Sequence, residues 1–187
     1  ARTDSRTFAQ RTSEGPEMVR GEIVSAPYFS LLGVKGALGR TFVAEEDRLG
    51  GPRVALLSDS LWRNRYGSDR SVVGKTIVLD DLDYTVAGVL PAGFQGLTDQ
   101  AQVWLPLSTT TGLGRDFDTH LRWIYAVGRI AEGRSLDQVR SNLDTVMQQR
   151  ETEAPVYNKD IRGKVAKLTD DWFGEVRGKL LILLAGG

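Results

Sequence analysis

The chain has 187 residues, 41% of them hydrophobic and 26% charged, which indicates a folded protein with one sizeable core or two small lobes and excludes a disordered chain. The 24 basic and 24 acidic residues cancel, so the chain lacks the net positive field that is typical of nucleic-acid binding. Cysteine is absent, which excludes thiolate catalysis, disulfides and Cys-ligated zinc.

The amino-terminal segment is polar and mixes both signs of charge. This mixture predicts a solvated surface segment and not a polybasic patch; its charged residues are Arg2, Arg6, Arg11, Arg20, Asp4, Glu14, Glu17 and Glu22. An extended run over 19–24 leads to Pro27, after which apolar residues predict a short turn that Gly33 closes. Gly36 and Gly39 predict a tight connection with close packing or unusual backbone angles.

A strand, a helix and a hairpin are predicted next. Residues 54–57 are four consecutive apolar residues, which predict a short buried strand. Ser58 is a natural N-cap for a helix that Gly67 ends. Apolar and polar residues alternate on both sides of the acidic turn 80–83, so residues 76–89 predict a β-hairpin.

The last third of the chain predicts a strand, a helix and a second strand. Residues 103–106 form another short strand, and residues 123–130 have the aromatic and branched side chains of a strand. A capping-box pattern from Ser135 to Gln138 begins an amphipathic helix, and residues 162–168 return as a strand. This order predicts a βαβ unit whose helix covers one face of a sheet. The apolar stripe of the helix consists of Leu136, Val139, Leu143, Val146 and Met147.

Six consecutive apolar residues, 180–185, follow Arg177 and Lys179. A membrane-spanning helix needs about 20 apolar residues, so these six cannot cross a bilayer alone. Two interpretations stay open: a buried helix or strand, or the first two turns of a transmembrane helix.

Two features look like chemical motifs but lack the context that the chemistry needs. Gly74, Lys75 and Thr76 resemble the end of a phosphate-binding loop, yet Asp69 stands where that loop has its first glycine, and a strand is predicted from Thr76. His120 is the only histidine, and without a second ligand or a nucleophile motif it is interpreted as a solvated or loop-bracing residue.

Three carboxylate groups, at 45–47, 80–83 and 170–171, lack the alternating spacing and the glycine of a calcium loop. We interpret them as solvated turns. The tryptophans are interpreted as core or lobe-junction residues, with a membrane-interface position as the alternative for the last of them; they are Trp62, Trp104, Trp123 and Trp172. The sequence therefore predicts no catalytic, cofactor-binding or metal-ligating residue.

Short apolar and glycine-containing segments follow one another in a defined order: Tyr28-Phe29, Leu32-Gly33-Val34, Gly39-Arg40, Leu61-Trp62, Tyr66-Gly67, 73–77, 84–89 and 103–106. Each segment alone is unspecific. Their order and spacing resemble the periplasmic core domain of MacB/FtsX-type ABC transporter permeases. The resemblance covers most of residues 20–187.

The resemblance implies an α+β fold with two lobes. A Porter-like sheet-plus-helix lobe, which contains the βαβ unit, is expected to comprise residues 1–37 and 108–176. A small β-rich Sabre-like lobe, residues 38–107, is expected as an insertion. Residues 177–187 are expected to start a truncated transmembrane helix.

The resemblance also implies a non-catalytic periplasmic domain, without cofactors, of a bacterial inner-membrane protein. The expected partners are a second permease subunit or half, a cytoplasmic ATPase domain reached through flanking membrane helices, and a periplasmic adaptor or substrate protein; nucleic acid is not expected. ATP-driven motion would reach the domain through a stalk at 170–184 and drive export or release of a substrate. The alternatives are a soluble extracytoplasmic module that binds a small molecule or peptide between its lobes, and a hydrolase that uses His120 or an acid pair.

Overall fold

The computed structural model describes residues 2–13, 15–98, 100–107, 125–153, 155, 159 and 161–168. The chain divides into two compact units, Ala1–Arg129 and Ile130–Gly187. The strands and helices are β1 Arg2–Thr12, β2 Gly15–Val24, α1 Tyr28–Leu32, β3 Leu38–Gly39, β4 Val54–Leu57, α2 Asp59–Tyr66, β5 Thr76–Leu79, β6 Leu82–Val89, β7 Val103–Pro106, β8 Tyr125–Ala126 and α3 Leu136–Glu153, with 3₁₀ turns at Ala44–Asp47 and Arg70–Val72.

The first unit is built on one mixed sheet with the strand order β2-β7-β4-β6-β5-β1-β8, and β3 pairs with β6. β1 also forms a long antiparallel hairpin with β2, so the pairing path returns to the strand where it began. The β2–β7 and β4–β6 pairs are parallel, and the other pairs are antiparallel. A mixed sheet with a few helices confirms the predicted α+β class.

Alternate residues of the central strands enter two different cores. On one face, Ala55 and Leu57 of β4 join a cluster that also contains Leu61 of α2. On the other face, Leu56 joins what we call the aromatic core, which consists of Val24, Tyr28, Phe29, Phe42, Val54, Leu56, Ala87, Leu90, Ala101 and Trp104. Because both faces of β4 are covered, all four of its residues are buried and its sequence is continuously apolar.

Two locally encoded elements are confirmed. The Ser58 hydroxyl oxygen accepts a hydrogen bond from the Leu61 amide at 3.1 Å, and α2 ends at Gly67 with a φ of 57°. β5 and β6 form the predicted hairpin, in which Leu79 pairs with Leu82. Its two turn residues, Asp80 and Asp81, have φ values of 48° and 61°, as a two-residue turn with left-handed backbone angles requires.

The strand predicted over 123–130 is wrong in its extent. β8 covers only Tyr125 and Ala126, and residues 127–130 are not a strand. The pairs with β1 are Tyr125 with Thr3 and Ala126 with Arg2, and residues 128–130 are exposed and do not cover a face of the sheet. Residues 123 and 124 lie outside the described residues.

In the second unit the predicted helix is present but the predicted strand 162–168 is wrong. The capping box forms as expected, because the Ser135 amide donates to the Gln138 side chain at 2.9 Å and the Gln138 amide donates to the Ser135 hydroxyl at 3.2 Å. Residues 161–167 have no ladder partner in the part of the unit that is described. Gly163 instead packs on Leu143 of α3, where a Cβ would overlap the leucine side chain.

The predicted apolar stripe of α3 is only partly protected. Leu136, Val139, Leu143 and Met147 are half-buried, whereas Val146 is 50% exposed and therefore does not belong to the protected stripe. No residue of α3 is fully buried.

The sheet crosses one of the predicted lobe boundaries. β2 lies before residue 37 and pairs with β7, which lies in the segment 38–107. The boundaries 1–37, 108–176 and 38–107 stay predictions. The predicted stalk 170–184 and the apolar residues 180–185 lie outside the described residues. Within the described residues, no helix combines the length and apolar character needed to cross a bilayer.

Candidate functional site

The aromatic core contains one carboxylate. Glu22 of β2 has 0% of its surface exposed, so the prediction that it belongs to a solvated segment is wrong. The reason is strand alternation: Glu22 lies on the same face of β2 as Val24, which is part of the aromatic core. Its neighbours in the amino-terminal segment, Glu17 and Arg20, are exposed as predicted.

Each of the two oxygens of the Glu22 carboxylate accepts two hydrogen bonds. Oε2 accepts from the Tyr28 hydroxyl at 2.6 Å and from Trp104 Nε1 at 3.0 Å. Oε1 accepts from the amide and the hydroxyl of Thr98, at 2.7 and 2.8 Å. These donors are neutral. Together they replace the hydrogen bonds to water that the carboxylate loses on burial.

The Glu22 network also determines the state of Tyr28. Burial, and next the charge and hydrogen bond of Glu22, raise the pKa of the Tyr28 hydroxyl far above its ordinary value. The hydroxyl therefore stays protonated and donates to Glu22, while its oxygen accepts from the Leu97 amide at 2.9 Å. Because each carboxylate oxygen already has two donors, this arrangement holds structure together and leaves no lone pair directed at a substrate.

A second buried carboxylate lies in the acidic group 45–47, which was predicted to be a solvated turn. That prediction is wrong for Glu46, which is 3% exposed. Arg40 donates to both of its oxygens, and the Val43 amide donates to Oε2 at 2.9 Å. Burial opposes ionisation, but these hydrogen bonds outweigh it and hold the pKa of Glu46 below its ordinary value.

In the segment that resembles a phosphate-binding loop, the lysine is paired with an aspartate of the same segment. Lys75 Nζ lies 2.9 Å from Asp69 Oδ2, and Thr76 begins β5. The hydrogen bonds from Lys75 and Ser71 hold the pKa of Asp69 well below its ordinary value. A strand in place of a helix start confirms that these residues are not a phosphate-binding loop.

The first unit carries a groove of about 390 Å³. It is lined by hairpin residues, by α2 residues and by one residue before β7: Thr12, Ser13, Glu17, Leu61, Asn64, Arg65 and Gln102. The Arg65 guanidinium donates to both Gln10 and Glu17, so its charge is compensated within the groove wall.

The other candidate residues are not brought together in the described part of the chain. His120, Trp123, Trp172 and the carboxylates 170–171 lie outside it. Among the described residues, no group of three or more His, Asp or Glu residues could hold a metal ion. Trp104 is buried in the aromatic core and Trp62 packs against the other core, which confirms the core interpretation for these two.

Glu22 is the residue that sequence reasoning missed. The signal was present in the run V-R-G-E-I-V, in which a period of two places Glu22 with Val24 on one face. Its partners could not be found in this way, because Tyr28, Thr98 and Trp104 come from three other segments.

Comparison with known proteins identifies the family. The family model described as MacB-like periplasmic core domain matches residues 1–146. The chain is 30% identical over 167 residues to the macrolide export ATP-binding/permease protein MacB of Burkholderia pseudomallei, a match that covers 87% of this chain and 24% of that protein. The MacB protein of Burkholderia thailandensis matches with the same identity and coverage. The chain therefore spans about a quarter of the length of these relatives.

Two solved structures share the fold. The extracellular domain of the ABC-type transporter YknZ from Gram-positive bacteria matches with a TM-score of 0.58 and 18% identity, over 82% of this chain and 75% of that chain. The periplasmic region of MacB from Actinobacillus actinomycetemcomitans matches with a TM-score of 0.57 and 15% identity, over 81% of this chain and 67% of that chain. Because the family model matches residues 1–146, which are most of this chain, the chain belongs to the MacB-like periplasmic core domain family.

Proposed function

We propose that this chain is the non-catalytic periplasmic domain of a MacB-like ABC transporter permease in a bacterial inner membrane. In this proposal it couples ATP-driven motion of membrane helices to export or release of a substrate in the periplasm. The observation that carries the proposal is the family match over residues 1–146, which runs from β1 into α3. The proposed partners are a cytoplasmic ATPase domain, a second permease subunit or half, and a periplasmic adaptor or substrate protein.

The packing of the first unit supports a mechanical role. Transmission of a motion needs a stiff body joined to an element with two states. β1 pairs with both β2 and β5, and the central strand β4 is buried on both faces, so a force applied at one strand reaches the whole sheet. Glu22, Glu46 and Lys75 each bind a neighbouring side chain of the same unit, which supports a non-catalytic role.

The proposal assigns the link to the membrane to residues 170–184, with the transmembrane helix starting within 177–187. The two proposed lobes, residues 1–37 with 108–176 and residues 38–107, would supply separate contact surfaces. A stiff link is required, because a flexible one would absorb the motion of the helices.

The test replaces residues 172–179 by an equally long Gly-Ser sequence in the full-length transporter. We expect ATP hydrolysis to persist and transport to be lost, measured with the purified protein in liposomes. The control replaces residues 48–50, which are exposed and lie within the first unit, by Gly-Ser, which should preserve both activities. Unchanged transport in the 172–179 variant would contradict the proposal.

A second candidate function is binding of a small molecule or peptide, and it is favoured by the groove between the hairpin and α2. Its volume of about 390 Å³ falls within the range of ligand pockets. The MacB relatives are named for macrolide export, so a macrolide and short peptides are suitable probes. A specific ligand should raise the melting temperature of the chain, and Asn64→Trp, which fills the groove from an exposed position, should abolish that rise. Equal melting temperatures with and without every probe would count against this function.

A further inference from the structure

We propose that residues 94–98, here named the strap, are held over the aromatic core by the Glu22 carboxylate, and that its negative charge is required. The strap would detach as a unit when this charge is removed, while the strands of the sheet stay paired. Glu22 would then hold the strap in place through hydrogen bonds, in addition to filling its position in the core.

The contacts of Glu22 join the strap to three other elements. Thr98 of the strap donates twice to Oε1, at 2.7 and 2.8 Å. Leu97 of the strap reaches the same network indirectly, because its amide donates to the Tyr28 hydroxyl, which in turn donates to Glu22. Trp104 of β7 completes the network with its indole N–H. Four segments therefore meet at one carboxylate.

The backbone of the strap passes directly over this carboxylate. Gly96 has a φ of 75°, and a Cβ at this position would overlap both oxygens of Glu22. On either side of Gly96, Phe94 lies near Trp104 with ring centroids 5.5 Å apart, and Leu97 packs against the aromatic core. The strap thus covers aromatic surface that its release would uncover.

Charge is required because every partner of the carboxylate is a donor. An ionised carboxylate only accepts hydrogen bonds, whereas a glutamine side chain of the same shape has an NH₂ group in place of one oxygen. Each oxygen of Glu22 faces two donors. A hydroxyl can rotate and accept from the NH₂ group of a Glu22→Gln variant, but an N–H group cannot. The NH₂ group would therefore oppose either Trp104 Nε1 or the Thr98 amide, depending on the orientation of the amide, and at least one bond of the network would break in both.

The two ends of the loop that contains the strap are held independently of Glu22. The Leu90 amide donates to the Leu57 carbonyl at 2.8 Å, and the Gln102 amide donates to the Arg20 carbonyl at 2.8 Å. β6 ends at Val89 and β7 begins at Val103, so the ladders of the sheet do not pass through the strap. The middle of the loop can detach without unpairing a strand.

The experiment measures amide hydrogen exchange in the 187-residue chain and its Glu22→Gln variant. We expect exchange at Leu97 and Thr98 to accelerate by about tenfold or more, with the amides of β4 unchanged. Glu46→Gln is the matched control, because it also neutralises a buried carboxylate but one that binds Arg40 and Val43. It should leave the strap amides unchanged.

Two results would overturn the proposal. One is equal exchange at Leu97 and Thr98 in the parent chain and in a folded Glu22→Gln variant. If Glu22→Gln exposes β4 as well, Thr98→Val decides, because it removes only one donor and keeps the charge. In this variant, exchange at Leu97 should accelerate by about threefold while the amides of β4 stay protected. The proposal would be contradicted if exchange at Leu97 did not accelerate, or if it accelerated equally at Leu97 and in β4.

Discussion

Arg40 and Glu46 form a two-point ion pair across six residues: NH1 donates to Oε2 at 2.9 Å and NH2 donates to Oε1 at 2.5 Å. The carboxylate side is 4% exposed and the guanidinium side 52% exposed. The planar fork of arginine matches the carboxylate, so the pair is strongly oriented. Together with the bond from the Val43 amide, it closes the segment from Arg40 to Glu46 into a compact loop.

Arg40→Met should destabilise the chain because it leaves the Glu46 carboxylate buried without its charged partner. We expect a loss of about 1–3 kcal/mol in the free energy of unfolding, measured by urea denaturation. Arg63→Met is the matched control: Arg63 pairs with Asp59 at the surface of α2, and an exposed pair of this kind contributes little to the free energy of unfolding because solvent screens it. Equal losses in the two variants would show that the burial of Glu46 does not matter.

The effect of Arg40→Met should depend on pH, with a sign that follows from Glu46. Its pKa in the folded chain lies below the ordinary value of 4.5, so its contribution to stability is complete above about pH 4.5 and is lost as the pH falls through the folded pKa. The stability difference between the parent chain and Arg40→Met should therefore shrink from about pH 7 to about pH 3. A difference that is constant over this range would contradict the assignment.

Gly39→Ala should be much more damaging than Gly33→Ala, although both glycines have positive φ values, 68° and 73°. A Cβ on Gly39 would overlap the Ala87 carbonyl oxygen and lie 2.9 Å from Gly88 Cα, whereas nothing lies within 4 Å of the corresponding atom on Gly33. We expect a loss of about 1 kcal/mol for Gly33→Ala, from backbone strain alone, and of about 3 kcal/mol or more for Gly39→Ala. Thermal unfolding of both variants measures the difference, and equal melting temperatures would contradict the close approach of β3 to β6.

The two aspartates of the β5–β6 turn should respond differently to glycine. Both have positive φ values, so glycine relieves strain at either position. Asp81→Gly loses only an exposed ion pair with Arg11, whereas Asp80→Gly loses the acceptor of the Ala9 amide, at 2.8 Å. Asp80→Gly should therefore be less stable than Asp81→Gly by about 1 kcal/mol in urea denaturation. The reverse order would show that the hydrogen bond from the Ala9 amide to the Asp80 side chain does not contribute to stability.

The sequence by itself determined the elements whose causes are local. Ser58 supplies the cap of α2 and Gly67 ends it, and the alternation over 76–89 forms the hairpin, because both depend on contacts between residues close in the chain. The capping box at Ser135 formed for the same reason. The order of such segments was also sufficient to identify the family, because a family pattern is a property of the linear chain.

Only the tertiary structure decided which charged residues are buried and how far the strands extend. Glu22 was predicted to lie in a solvated segment of mixed charge and Glu46 in a solvated turn, but the strap and Arg40 bring donors to them. β8 consists of Tyr125 and Ala126, which pair with Thr3 and Arg2 of β1, and Gly163 packs on Leu143 of α3 in a segment that has no ladder partner in the described part of its unit. In each case the deciding partner lies in another segment or is missing from the ladder. The partners of a buried or paired residue come from a second segment, so the residues of one segment alone could not identify them.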